Sequence, residues 1–323
     1  MRYTKNKENL SEKIKLHPRN AHRNAYDFKQ LCAVNSDLTP FVHVNKYGTE
    51  TIDFFNPTAV KALNQALLQH HYDIDYWAIP DNYLCPPVPG RADYLHYIAD
   101  LLKESNGGKM PKGTKVKCLD IGMGASCIYP IIGVKSYDWS FVATDVNPVA
   151  IETARDTVKK NRSLRDKVKI RQQRRSDNIF TGVFKEGEKY DLSICNPPFH
   201  ASKAEAAKGT ARKLKNLAKG KKIEMPALNF GGQKTELFYK GGERRFVEIM
   251  IQESTNFAMS CLWFSTLISK ESNLKPVEKM LEKAKAVKMK VIPMEQGNKK
   301  SRIVAWTFLS EKQQKIWAQT RFS

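Results

Sequence analysis

Tyr190-Asp-Leu-Ser-Ile-Cys-Asn-Pro-Pro-Phe199 is the stretch on which the reading of this chain turns. Leu192 to Cys195 is a short apolar run with charge before it and prolines after it, the pattern of a buried strand. Pro197 and Pro198 lack the N–H that a sheet ladder needs and hold their φ angles fixed, so the strand must stop there. Asn196 is thus presented on stiff backbone at a strand's C-terminal end, the edge of an open α/β sheet where ligands sit. Its side-chain carbonyl and the Pro197 main-chain carbonyl are two acceptors, which is what a planar NH2 group needs. Phe199 offers a ring face on which a base can stack, an interaction worth about 1–3 kcal/mol. Taken alone, the four residues fit two readings equally. One is a site for an exocyclic amine such as adenine N6; the other is a plain strand stopped by prolines.

Strands alternate with helices around this stretch. Strands are predicted at 115–120, 141–145, 168–171, 191–195, 259–268, 291–294 and 303–309. Helices are predicted after Ser126, from Asn147-Pro148, and over 276–287. Such alternation implies an α/β fold, with a seven-stranded, mostly parallel sheet and helices on both faces.

The first of these strands ends in Asp120-Ile-Gly-Met-Gly-Ala-Ser126. Gly122 and Gly124 follow the strand and precede a helix, where glycine lets backbone approach a ligand closely. A dinucleotide fingerprint needs a third glycine, and Cys127 stands in its place, so NAD is disfavoured. Asp145 ends the next strand, where an acid can accept hydrogen bonds from a ribose diol; the lesser alternative is a helix N-cap for the following segment. Asp177-Asn178 follows the third strand and is placed toward an adenine. A ribose-and-adenine site without a phosphate clamp suits S-adenosylmethionine better than a nucleotide phosphate.

The 323 residues suit one large domain plus an extension. The formal charge of +21 points to a polyanionic partner. No run of 18 apolar residues is present, so no membrane partner is expected, and the basic N-terminus shows no secretory signal. The six cysteines form no C-x-x-C pair and read as core residues of a reducing cytosol. The histidines lack ligand spacing, so no metal is expected.

Residues 1–25 carry Lys5, Lys7, Lys13, Lys15, Arg19 and Arg23. They read either as a solvated tail or as a basic arm on nucleic acid. Residues 26–90 read as a small helical extension. Asn56-Pro57 is a cap-and-first-turn signal, and Val60, Leu63, Ala66 and Leu67 share a helical face. Leu84-Cys-Pro-Pro-Val-Pro-Gly90 is predicted to be extended and stiff, delivering Arg91 toward a ligand. Tyr94, Leu95, Ile98, Leu101 and Leu102 form the next helix. The division is 1–90 for the arm and extension and 91–323 for the catalytic domain. Residues 201–222 hold seven lysines, one arginine and one acid, which reads as a mobile basic loop beside the site.

At this point the chain resembles class I methyltransferases that act on amino nitrogens, through Asp120-Ile-Gly-Met-Gly-Ala-Ser126, Asp145 and Asn196-Pro-Pro-Phe199. Further segments narrow the resemblance: His17-Pro-Arg-Asn20, Cys85-Pro-Pro-Val-Pro-Gly-Arg91, Asn229-Phe-Gly-Gly232, Gly241-Gly-Glu-Arg-Arg-Phe246 and residues 296–308. Over nearly its whole length the chain is similar to the bacterial 23S rRNA adenine-N6 methyltransferase family (the RlmF type), related to eukaryotic U6 snRNA and mRNA adenine methyltransferases. The resemblance implies methyl transfer from S-adenosylmethionine to an adenine amine of 23S rRNA or an assembling large subunit, in the cytoplasm. It implies Asn196, Pro197 and Phe199 at the reaction. Asp120, Gly122, Gly124, Ser126, Asp145, Asp177 and Asn196 would hold the cofactor, with Arg91 on its carboxylate. Pro198, Lys203, Lys208, Arg212, Lys213 and Arg19 would meet RNA. Three rivals remain at this stage: a protein glutamine methyltransferase, a DNA adenine methyltransferase, and a non-catalytic RNA-binding assembly factor.

Overall fold

The structure, a computed structural model, describes residues 15–81, 83–201, 239–296 and 299–322. Lys5, Lys7, Lys13, Lys203, Lys208, Arg212, Lys213 and Asn229-Phe-Gly-Gly232 lie outside them, as does nearly all of the expected basic loop at 201–222.

The N-terminal part contains helix α1 (Phe28–Val34), a 3-10 turn, a two-stranded hairpin of β1 (His43–Val44) and β2 (Glu50–Thr51), and helix α2 (Pro57–Tyr72). The hairpin was not expected from the sequence. Asn56 caps α2 by accepting from Thr58 N at 3.0 Å and Ala59 N at 3.3 Å, with Pro57 in the first turn. One face of α2 buries Leu63, Ala66 and Leu67 against Phe28, Leu31, Leu38 and Ile52 in a small core of its own. Leu68 and Tyr72, on another face, join the main core.

Helix α3 (Val88–Ser105) begins earlier than the sequence suggested. The segment predicted to be extended stops at Pro87; Val88, Pro89 and Gly90 form the first turn, where a proline's missing N–H costs nothing. Arg91 therefore sits in a helix, its N–H bonded to Pro87 O at 3.4 Å.

The sheet comprises β3 (Lys117–Ile121), β4 (Ser140–Asp145), β5 (Val168–Gln172), β6 (Tyr190–Cys195), β7 (Cys261–Ile268), β8 (Lys288–Gln296) and β9 (Lys299–Thr307), in the order β5-β4-β3-β6-β7-β9-β8. The first five are parallel; β9 runs antiparallel to both β7 and β8. Every residue of β6 is buried, as expected for a central parallel strand covered on both faces. One face packs on α3, α4 (Ile128–Tyr137) and α5 (Pro148–Lys160). The other packs on α6 (Gly242–Ser254) and α7 (Leu274–Lys283). Gly133 of α4 rests on the Phe141 ring, with no room for a side chain.

Two boundaries moved for local reasons. Helix α7 ends at Lys283, short of the predicted 287, because Lys285 takes a left-handed φ of 60° and Ala286 N turns back to Leu281 O. This is a glycine-type stop without glycine. Strand β8 passes straight through Pro293, which is tolerated because β8 is the sheet's edge.

Residues 15–24 are neither a solvated tail nor a free arm. His17, Asn20 and His22 are buried. Asp93 of α3 accepts from His17 N at 3.0 Å and from the Asn20 side chain. Arg19 donates to Tyr137 OH and His96 O, both at 2.9 Å, and pairs with Asp100 at 2.8 Å. His17 Nε2 also meets Asp100 at 2.8 Å. The segment is a polar strap across α3, and Arg19 is spent on it.

His96, beneath this strap, meets Tyr137 OH at 2.7 Å. Burial, then the charges of His17 and Arg19, lower its pKa to about 3, while Asp100 opposes them. The folded protein thus refuses a proton that the unfolded chain accepts below about pH 6.5. Stability should fall as pH drops below that value, by up to about 1.4 kcal/mol per pH unit from this group. In urea unfolding at pH 7 and pH 5.5, His96→Gln should lose less stability on acidification than the parent; equal losses would remove His96 as the cause.

Candidate active site

A cavity of about 420 Å³ opens at the C-terminal ends of β3, β4 and β6. The glycine loop after β3 forms its floor. Gly122 has φ 71° with open space where a side chain would project, and Gly124 has φ 63°. Cys127 takes a left-handed φ of 49°, supplying the turn a third glycine would have made. The loop's first donors are already used: Gly122 N and Met123 N reach Thr144 O, both at 2.9 Å, and Gly124 N reaches Asp145 Oδ2 at 2.9 Å. Those amides are not available to cradle a phosphate, so the loop is unlike a dinucleotide clamp.

Asp145 also accepts from Asn147 N at 2.9 Å through its other oxygen. Each carboxylate oxygen keeps a lone pair for a diol. Burial raises its pKa, against the pull of the backbone donors at Asn147, Gly124 and Val146. Ser126 is buried in the wall, and its carbonyl accepts from Trp77 Nε1 at 2.8 Å. The N-terminal extension thereby grips the glycine loop. Asp177 is exposed at the cavity's rim, where Arg175 at 3.1 Å holds its carboxyl below the usual range. The carboxylate of Glu253 collects the N–H groups of Ile179, Phe180 and Thr181, fixing the loop behind it.

Asp120 is the exception. It is fully buried beneath the loop, does not line the cavity, and neither oxygen has a hydrogen-bond partner. Burial, then the nearby Asp145, pushes its pKa well up, and Arg91 opposes them. It supports the floor rather than forming it, because strand alternation turns its side chain to the face of Cys118.

Asn196, Pro197 and Pro198 form the opposite wall. Arg91 Nη1 donates to Asn196 Oδ1 at 3.0 Å and to Tyr129 OH at 3.3 Å, with its guanidinium 5.7 Å from the Tyr129 ring centre. Two residues 105 positions apart, both singled out from sequence, are thus in contact. Tyr94, fully buried on α3, holds the end of β6 from below. Its hydroxyl meets Ser265 Oγ at 2.9 Å and receives Cys195 N at 3.4 Å, and Ser265 Oγ donates to Ser193 O at 2.6 Å.

Phe199 is half-buried and is not part of the cavity wall; His200 O just after it accepts from Tyr239 N at 3.0 Å. The aromatic wall comes instead from Tyr239 and Phe246, which flank Gly241-Gly242 and pack edge-to-face 5.3 Å apart. The glycine pair was legible as a turn; the rings beside it carried no separate signal. Glu243, in the same motif, is buried and receives Ser269 N at 2.7 Å and Asn273 Nδ2 at 2.6 Å. Arg19 does not line the cavity. Among the described residues no cluster of side chains could hold a metal, and no helix is long and apolar enough to cross a membrane.

This fold, with a donor-free glycine loop, an acid ending β4 and a proline-stopped Asn on β6, defines a class I methyltransferase. Within that class the chain belongs to the RNA methyltransferase family, which it matches over residues 10–310. It is 54% identical over 316 residues to the "Ribosomal RNA large subunit methyltransferase F" of Cytophaga hutchinsonii, covering 98% of each chain. The Shewanella halifaxensis protein of the same description is 50% identical, covering 95% of this chain and 85% of that one. Among solved structures, the hMettl16 catalytic domain in complex with MAT2A 3'UTR hairpin 1 is 28% identical, with a TM-score of 0.75, covering 92% of this chain and 96% of that one. The N-terminal domain of human METTL16 in complex with SAH is 27% identical, with a TM-score of 0.71, covering 91% and 99%.

The buried hydroxyl of Tyr94 yields a direct test. Tyr94→Phe leaves Ser265 and Cys195 N short of a partner and should cost about 1–3 kcal/mol in urea unfolding. Methyl transfer should fall further than stability alone explains, because the end of β6 loses its support. Unchanged activity in the folded variant would show that the prolines alone fix Asn196.

Proposed function

We propose that the protein transfers a methyl group from S-adenosylmethionine to the N6 amine of an adenine in 23S (large-subunit) rRNA, in the cytoplasm. The observation that carries this reading is the placement of Asn196. Its side-chain carbonyl is fixed on a proline-stopped strand end, in the same cavity as Asp145 and the glycine loop. The two relatives named as large-subunit rRNA methyltransferases support the substrate class.

The residues fit the cofactor. Gly122 and Gly124 give its ribose and adenine close access to backbone, Asp145 offers acceptors to the diol, and Ser126 and Asp177 border the same space. Arg91, in that wall, is the cation for the carboxylate. When bound, S-adenosylmethionine supplies an electrophilic methyl group. The adenine amine is a poor nucleophile because its lone pair is conjugated into the ring. Asn196 Oδ1 and Pro197 O accept its two N–H bonds and favour the pyramidal, electron-rich form. This is positioning and electrostatic stabilisation without a strong base. Water suffices as proton acceptor, since a methylated, cationic amine is a strong acid. Tyr239, Phe246 and Phe199 are the rings available to a base flipped out of its stack, which must enter the pocket from outside. Pro198 shapes the entry.

A glutamine amide also presents two N–H groups to such acceptors. The charge of +21 and membership of an RNA methyltransferase family weigh against that substrate.

Asp145→Ala should weaken S-adenosylmethionine binding about ten- to a hundred-fold, the worth of a hydrogen bond to a charged group. Asp145→Asn, keeping one acceptor, should be intermediate. Because burial raises the Asp145 pKa, binding to the parent should weaken on acidification sooner than an ordinary carboxylate would dictate. Calorimetry giving unchanged affinity in a folded Asp145→Ala protein would remove Asp145 from the site.

Asn196→Ala should lower single-turnover methyl transfer to a 23S rRNA fragment about 10²–10³-fold, comparable to deleting one oxyanion donor. Most of the loss should lie in turnover, since the acceptor acts most strongly as the amine becomes pyramidal. Digestion to nucleosides should give N6-methyladenosine. Label recovered in protein glutamine, in cytosine, or in DNA adenine alone would refute the proposed substrate.

A further inference from the structure

On the face of the sheet carrying α6 and α7, a groove of about 750 Å³ runs between these two helices. Its walls carry Arg244 from α6 and Lys275, Lys279 and Lys283 from α7. The three lysines are four residues apart, so they share one helical face at a rise of about 6 Å each. All four cations are exposed, and among the described residues none has an ion-pair partner. The acid lining the groove, Glu248, is engaged by Arg245 at 2.9 Å.

The groove's position matters as much as its charge. Helix α6 starts at Gly242, directly after Tyr239 and Lys240, which line the cavity, and Phe246 on the same helix lines it too. Helix α7 follows the C-terminal end of β7 and descends alongside α6. Arg244 and Lys275, in the first turns of the two helices, therefore stand at the edge of the sheet where the cavity opens, and Lys279 and Lys283 lead away from that edge. A solvated lysine face would be convex and have no fixed relation to the site. This one is concave and begins at the edge of the sheet where the cavity opens.

We propose that the α6–α7 groove binds the sugar-phosphate backbone of the substrate RNA flanking the target nucleotide, with Arg244, Lys275, Lys279 and Lys283 as phosphate contacts. The inference rests on the RNA reading given above. The contacts are with phosphate, so the groove adds affinity and register and reads no sequence.

The test uses the full chain with Lys275→Gln, Lys279→Gln and Lys283→Gln combined. Glutamine keeps helix propensity at exposed positions. A control removes the same charge elsewhere, by Lys159→Gln, Lys312→Gln and Lys315→Gln. RNA binding to an rRNA fragment of a few tens of nucleotides is measured against salt. Losing three phosphate contacts should make the log–log slope shallower by about two to three. The control slope should stay near the parent's. The KM for the long fragment should rise with kcat unchanged, while a pentanucleotide around the target adenine should be methylated as by the parent. Equal losses in variant and control, or an unchanged slope in the variant, would overturn the groove. The slopes are read from binding alone, so they judge it even if the parent proves unable to methylate RNA, an outcome that would instead refute the proposed function.

Discussion

The hydrogen bond from Arg91 Nη1 to Asn196 Oδ1, 3.0 Å long, joins the first turn of α3 to the end of β6. Much of the rest of the molecule serves to hold these two groups together. Two prolines deny Asn196 any continuation of its strand. Tyr94, one helical turn after Arg91, holds the preceding residue through Cys195 N and the Ser265–Ser193 pair. Helix α3 is itself pinned by the strap at 15–24, through Asp93 and Asp100, and by Asn64 of α2, which donates to Pro86 O at 2.9 Å. A side-chain amide can rotate freely on its own; here its carbonyl oxygen is held by the Arg91 guanidinium.

The same economy governs the acids. Asp145 lies close enough to Asp120 to raise the cost of ionising it, beyond what burial imposes. The two are treated differently by their surroundings. Asp145 receives backbone N–H bonds from Gly124 and Asn147 and remains an acceptor at the cavity surface. Asp120 receives none and is pushed toward the neutral acid. On the proposed reading, the diol meets Asp145 alone at the cavity surface, and burial disfavours a second negative charge on Asp120 beneath it.

Much of this was legible in the sequence because it is written in local backbone chemistry. The strand at 190–195, the caps at Asn56 and Asn147, the glycine loop and the acid ending β4 are each fixed by residues within a few positions of one another. What the sequence hid was set by long-range partners. The extension at 26–90 contains a hairpin that no strong turn dipeptide announces. Arg19 and the buried His17 and Asn20 look like nucleic-acid ligands until Asp93 and Asp100, more than 70 positions away, are brought beside them. Asp120 has the composition of a ligand contact, but alternation along β3 turns it inward. Phe199 adjoins the prolines in sequence, while Tyr239 and Phe246 reach the cavity from a distant segment. The start of α3 was misplaced because Pro89 and Gly90 resemble a loop, and only the bond from Arg91 N to Pro87 O shows the first turn.

Affinity for RNA and the chemistry on it make opposite electrostatic demands, and the fold separates them. A polyanion is drawn by positive charge, which the chain carries in excess at +21. An amine that attacks an electrophile gains positive charge, and cations beside it would raise its barrier. On the proposed reading, then, the wall that meets the amine must present the negative ends of neutral dipoles. Asn196 Oδ1 and Pro197 O are such groups, and a lysine or arginine in place of Asn196 would defeat the reaction while strengthening RNA binding. Arg91 donates to that same Asn196 oxygen, whose remaining lone pair is the one left for the amine, so part of its charge is compensated by the carbonyl it holds. The free cations of α7 lie outside the cavity, where they can hold phosphate without opposing the charge that develops within.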